Sequence, residues 1–150
     1  MSKPAKNDYD QFFQGAAADE AWPVLLLRDV LLPNLLERDL HDILYWAGKN
    51  LAIKFPQTTE SLVHFFEVSD FGNLVLTKQT ADKTTWKLSG PTISKRLAAD
   101  QDADFMLETG FLAQTQQQTT GLITEAEYKL RNKGIIEIMV VSDSNQPLPY

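Results

Sequence analysis

Between Leu40 and Phe55, the residues Leu40, Ile43, Leu44, Ala47, Gly48, Leu51, Ala52 and Phe55 recur at the i, i+3, i+4, i+7, i+8 spacing of one helix face. No other stretch constrains the fold as strongly. It predicts a helix of about four turns starting near Asp39. Pro56 stops that helix, because proline has no amide proton and crowds the preceding turn.

The same period organises the flanks. Asp19 and Glu20 sit where a helix amino terminus favours acids, Pro23 fits a first turn, and Val24, Leu27 and Leu31 follow at helical spacing until Pro33 ends or kinks the run. After Pro56, Thr58 caps a third helix whose Leu62, Val63, Phe65 and Phe66 point inward, with Gly72 as its left-handed stop.

The period then changes from 3.6 to two. Leu74 and Leu76 alternate with Val75 and Thr77, and Trp86 and Leu88 alternate with Thr85 and Lys87, around a polar Thr80-Ala81-Asp82-Lys83 turn. Gly90-Pro91 breaks the second strand, and Ile93, Leu97 and Ala98 make a short helix. Asp104 then caps a longer helix from Phe105 to about Thr119, closed by Gly121. Ile123, Tyr128 and Leu130 lead into Asn132-Lys133-Gly134, whose Asn and Gly suit positive φ, and Ile135, Ile136, Ile138, Val140 and Val141 return as the closing strand. No strand–helix–strand alternation appears, so the expected class is α+β: an antiparallel four-stranded sheet of two hairpins against a helical layer.

Residues 1–18 read as a flexible arm that Tyr9, Phe12 and Phe13 pin at most in part. Residues 19–142 read as one domain, and 143–150, with Pro147 and Pro149, as an exposed tail unable to continue the strand. A 150-residue chain, 43% hydrophobic and 23% charged, holds one core without a metal or disulfide staple.

Composition removes whole classes of chemistry. The chain has no cysteine, which excludes disulfides, thiolate nucleophiles, iron–sulfur clusters and cysteine-bound zinc and fits a reducing cytoplasm. The start lacks the apolar run of a signal peptide, and Trp22 to Leu36 is broken by Arg28, Asp29 and Pro33 and is too short to cross a bilayer. Twenty acids against fourteen bases give a net charge of −6, with no basic patch for nucleic acid.

Catalytic and cofactor motifs are equally sparse. His41 has Asp42 beside it and His64 has Glu67 one turn on, yet neither gathers enough ligands for a metal. Ser61, Ser89 and Ser94 lack a nucleophile elbow. Asp70-Phe71-Gly72 stands without the other kinase motifs, and the glycines are too scattered for a phosphate loop. No cofactor and no enzymatic activity are therefore expected.

What stands out is Tyr45-Trp46-Ala47-Gly48-Lys49, where small residues interrupt a bulky helix. Glycine inside a helix costs about 1 kcal/mol relative to alanine, so Ala47 and Gly48 imply a close helix approach. That approach is either intramolecular or, with Tyr45 and Trp46 beside it, part of a subunit interface or ligand channel.

This motif, with Leu51-Ala52 and Phe55-Pro56, then Gly90-Pro91-x-Ile93-Ser94-x-Arg96-Leu97, then Phe105-x-Leu107-Glu108-x-Gly110-Phe111, resembles the YslB family of Gram-positive bacteria, a domain of unknown function. The resemblance runs from about Val24 to Val141. That family is similar in architecture to the group holding the transport-particle (TRAPP) subunits and the 4-vinyl reductase domain. The resemblance implies a homodimer, Gly48 in a close helix contact, and Gly90-Pro91 turning the chain off the second strand. Some members of the wider group hold an acyl chain in an apolar tunnel and others sense ligands through cysteines. Without cysteine, this chain is left with a noncovalent apolar ligand.

Three readings follow. The first is a non-enzymatic homodimeric binding or adaptor module using Tyr45, Trp46, Ala47 and Gly48. The second is a receptor whose pocket is lined by Leu44, Leu51, Phe65, Phe66, Phe105 and Phe111, with Arg96 and Glu108 as a structural ion pair or a polar anchor for a head group. The third is a hydrolase-type enzyme built on His64 with Glu67, or on Arg96 with Glu108.

Overall fold

The computed structural model describes residues 9–16 and 19–149. Helix α1 (Tyr9–Ala16) precedes α2 (Trp22–Leu25), which runs on through a π-helical segment, Leu26–Leu31, into α3 (Leu32–Leu36). A 3-10 turn, Glu37–Asp39, leads to α4 (Leu40–Lys54) and α5 (Thr59–Val68). Strands β1 (Asn73–Gln79) and β2 (Lys83–Ser89) come next, then α6 (Pro91–Ala99), α7 (Met106–Thr120), β3 (Leu122–Arg131) and β4 (Ile135–Pro147).

Each hairpin pairs antiparallel, and β2 pairs antiparallel with β4, which gives one sheet in the order β1-β2-β4-β3. Alternation works as the period-two pattern requires. Leu74, Trp86, Leu88, Ile136, Ile138 and Val140 face inward, while Val75 and Val141 face out. The inner face is covered by the helices, with α7 central: eight of its residues, from Met106 to Thr115, are buried, and it touches α4, β3 and β4.

Several local expectations are corrected. Part of the supposed arm, Tyr9–Ala16, is helical, and Phe12 and Phe13 lie 5.8 and 5.3 Å from the Trp22 ring; residues 1–8, 17 and 18 lie outside the described residues. Pro33 does not end its helix. The Leu32 amide already reaches back to the Leu27 carbonyl in the wide turn before it, so the proton that proline lacks is missing from a ladder that has changed register.

After α5 both Asp70 (φ 57) and the expected Gly72 (φ 135) take positive φ; the Asp70 amide donates to the Glu67 carbonyl at 3.1 Å, and its carboxylate accepts from the Thr92 hydroxyl at 2.7 Å. In the β3–β4 connection, Lys133 and Gly134 take positive φ, where Asn132 had been expected with the glycine. The closing strand continues through Pro147, paired with Leu122 at the sheet's border. Proline is tolerated at such an edge position, where its missing donor is not needed.

Candidate functional site

Helices α4 and α7 meet through two glycines. A Cβ on Gly48 would collide with the Leu107 carbonyl and come within 2.9 Å of the Phe111 nitrogen, and a Cβ on Gly110 would collide with the Tyr45 carbonyl and come within 3.2 Å of the Lys49 nitrogen. The close approach read from the sequence is therefore intramolecular at Gly48, which is buried and unable to serve an interface between subunits. Ala47 is half-buried, and Trp46 turns outward with 65% of its surface exposed.

Tyr45 serves the sheet instead. Strand β3 is an edge strand, and the Tyr45 hydroxyl accepts from the Ala126 amide at 3.0 Å while donating to Glu125 Oε2 at 2.7 Å. Lys49 adds a contact of 3.6 Å to Glu125 Oε1 and lies over the Tyr45 ring. An edge donor that would invite another strand is thus occupied. Burial, with the Glu125 carboxylate beside it, pushes the Tyr45 hydroxyl well above its ordinary pKa, so it remains a donor. Tyr45→Phe is expected to cost about 1–2 kcal/mol, because it strands the Ala126 amide. Urea titration together with faster hydrogen exchange at Ala126 checks this.

Beneath α7 lies a cluster of buried charge. The π-helical turn directs the adjacent Arg28 and Asp29 inward, at 8% and 5% exposure. Arg28 forks onto Glu108, Nη1 donating to Oε2 at 3.0 Å and Nη2 to Oε1 at 2.7 Å. Arg96 forks onto Asp29, Nε donating to Oδ2 and Nη2 to Oδ1, each at 3.0 Å. Both guanidinium groups also donate to the Asp104 carbonyl, at 3.3 and 2.7 Å, and Arg96 stacks over the Phe105 ring at 4.4 Å. The Asp104 carboxylate accepts from the Met106 amide at 2.7 Å and meets His41 Nδ1 at 3.0 Å.

Arg96 and Glu108 are thus brought together, at 3.6 Å, but each has a nearer partner that the sequence reading left out. Two positive and two negative side chains, all buried, balance one another. Burial favours neutral Glu108, yet the Arg28 guanidinium outweighs it and holds this carboxyl below the usual range. At Asp29 burial wins and pushes the carboxyl up against the opposing pull of Arg96. Arg28 Nε is buried without a hydrogen-bond partner. Arg28 also walls a shallow groove of about 180 Å³ with Val24, Leu27, Ser69, Asp70, Phe71 and Leu107.

The six residues expected to line a pocket build packed core. The rings of Phe65 and Phe111 stack at 4.8 Å, Phe66 meets Phe111 edge-on at 5.8 Å, and Phe105 meets Tyr128 at 5.8 Å. Leu44 is buried, and Leu51 packs on the same cluster from its half-exposed position. His64 and Glu67 both stand exposed on α5, and His41 pairs with Asp104, not with its neighbour Asp42. Among the described residues no group of three or more His, Cys, Asp or Glu side chains is placed to hold a metal ion. No helix there is long and apolar enough to cross a membrane.

Residues 21–141 match the family described as protein of unknown function, DUF2507. The chain belongs to this family. The uncharacterized protein YslB of Bacillus subtilis (strain 168) is 32% identical over 130 residues, spanning 85% of this chain and 88% of that protein. The fold is that of a vinyl-4-reductase family protein from Methanocaldococcus jannaschii, with a TM-score of 0.53 at 18% identity, covering 96% of this chain and 85% of that one. An H-NOX protein from K. algicida is more distant, with a TM-score of 0.45 at 11% identity over 71% of this chain and 64% of that one.

Proposed function

We propose that this chain is a non-catalytic binding or adaptor module that works as a homodimer in the cytoplasm. The observation that carries the reading is the outer helical surface. Leu27, Leu31, Leu35, Trp46 and Ile53 expose 51, 49, 69, 65 and 59% of their area, whereas the buried charged side chains are turned toward one another. Large apolar side chains left in water along helices mark a surface awaiting a partner. Sedimentation equilibrium over a micromolar concentration range tests the dimer: twice the chain mass is expected, and a monomer throughout would remove the reading.

A second reading keeps the receptor idea but moves its site. The phenylalanines pack on one another, whereas the groove beside Arg28 joins mostly apolar walls to the side of a guanidinium. A noncovalent acyl-chain-like molecule with a polar end fits that pairing. Binding of a short-chain fatty acid by calorimetry, abolished by Leu27→Asp, is its test.

A further inference from the structure

On α4, the face that Leu44, Gly48 and Ala52 bury is opposed by a line of Ile43, Trp46, Asn50 and Ile53. Their spacing of three, four and three residues is that of a coiled-coil seam. Ile43 exposes 40% of its area and Trp46 and Ile53 more than half of theirs. Single exposed apolar residues are ordinary on protein surfaces, but a continuous stripe is not.

The stripe is symmetric in a way that names its occupant. Ile43 and Ile53 stand equally far from Gly48 along the helix, as do Trp46 and Asn50, and as do Asp42 and Lys54. A two-fold interface uses one patch twice, so that residue i meets residue j and j meets i. The charges select the direction. Glu37, Asp39 and Asp42 make the amino end acidic despite Arg38, and Lys54 ends the helix. Parallel packing sets acids against acids, whereas antiparallel packing sets the acidic end near the partner's Lys54 and opposes the helix dipoles favourably.

We infer that a second copy of this chain covers α4, the two helices packing antiparallel about a two-fold axis that crosses the exposed stripe at the level of Gly48, between Trp46 and Asn50. Ile43 then lies against the partner's Ile53, and Trp46 beside the partner's Asn50. A lone asparagine in an apolar seam fixes register at some cost in stability, which gives Asn50 a role that helix propensity does not. This rests on the dimer reading above and specifies its interface.

Because the chain has no cysteine, single-cysteine variants report the geometry without background. Ile43→Cys and Ile53→Cys, mixed in equal amounts with a short bismaleimide, are expected to give a crosslinked dimer of one variant with the other, and little product from either alone. Trp46→Glu places a charge at the seam's centre and is expected to weaken dimerisation by about 100-fold or more. Its circular dichroism should not change, since Trp46 is exposed.

Crosslinking of Ile43→Cys alone as efficient as in the mixture, or undisturbed dimerisation of Trp46→Glu, overturns the inference. If sedimentation still shows a dimer while the mixture does not crosslink, the dimer uses another face and only this inference falls. A monomeric parent protein removes both.

Discussion

Glu108→Ala is expected to destabilise the fold by about 3–5 kcal/mol, among the largest effects of any single substitution in this chain. Glu108 is 1% exposed and is the partner onto which Arg28 forks, with Arg96 3.6 Å away. Removing it leaves the charge balance beneath α7 uneven and the Arg28 guanidinium, itself only 8% exposed, without its carboxylate. A buried charge stripped of its partner costs far more than the intact pair contributes.

The double variant Arg28→Met with Glu108→Leu separates these terms. It removes both halves of one fork and keeps apolar bulk, so it should recover most of the loss, while Arg96 and Asp29 retain each other. Urea denaturation of the two variants, with slopes close to the parent's, supplies the comparison. A loss below about 1 kcal/mol for Glu108→Ala would mean that the cluster is solvated in solution.

The second large effect lies where α4 crosses α7. Gly48→Val and Gly110→Val are each expected to cost about 3 kcal/mol or more, at the upper end of overpacking, because the added atoms meet backbone on the facing helix and not a side chain that can turn away. Helix propensity acts in the opposite direction by less than about 1 kcal/mol, so the sign is decided by contact. The two losses should not add. Once one substitution has driven the helices apart, the second finds space, and the double variant should cost clearly less than the sum. Full additivity would indicate that the two glycines do not share one contact.

Where the sequence was legible, one period ruled one environment. Strand β4 alternates because one face meets core and the other does not, and α7 closes at the left-handed Gly121 as read; its amino cap is Phe105, one residue after the expected Asp104, whose carboxylate accepts from the Met106 amide. The continuous run from α2 through the π-helical segment into α3 was misread because it inverts the usual rule. Its leucines at 27, 31 and 35 face solvent, while Arg28 and Asp29 are buried. Hydrophobic spacing assigns charges to water unless their partners are known, and those partners, Glu108 and Arg96, lie far along the chain. The available signal was an adjacent Arg-Asp pair inside an apolar run just before Pro33.

The same limitation explains the candidate site. Arg96 and Glu108 were singled out, but a pairwise reading could not see that four side chains share the charge. Gly48 was correctly read as a place of close approach, and sequence could not say against what. The phenylalanines were expected around a pocket because apolar composition alone does not distinguish a packed cluster from a lined cavity.

Native mass spectrometry of the untagged protein purified from its own host addresses the proposed role most directly, since it counts subunits and weighs any retained molecule together. The account predicts a dimer at twice the chain mass, without added mass if the module serves a protein partner. A dimer with reproducible added mass would transfer the argument to the groove beside Arg28. A bare monomer at micromolar concentration would contradict the account.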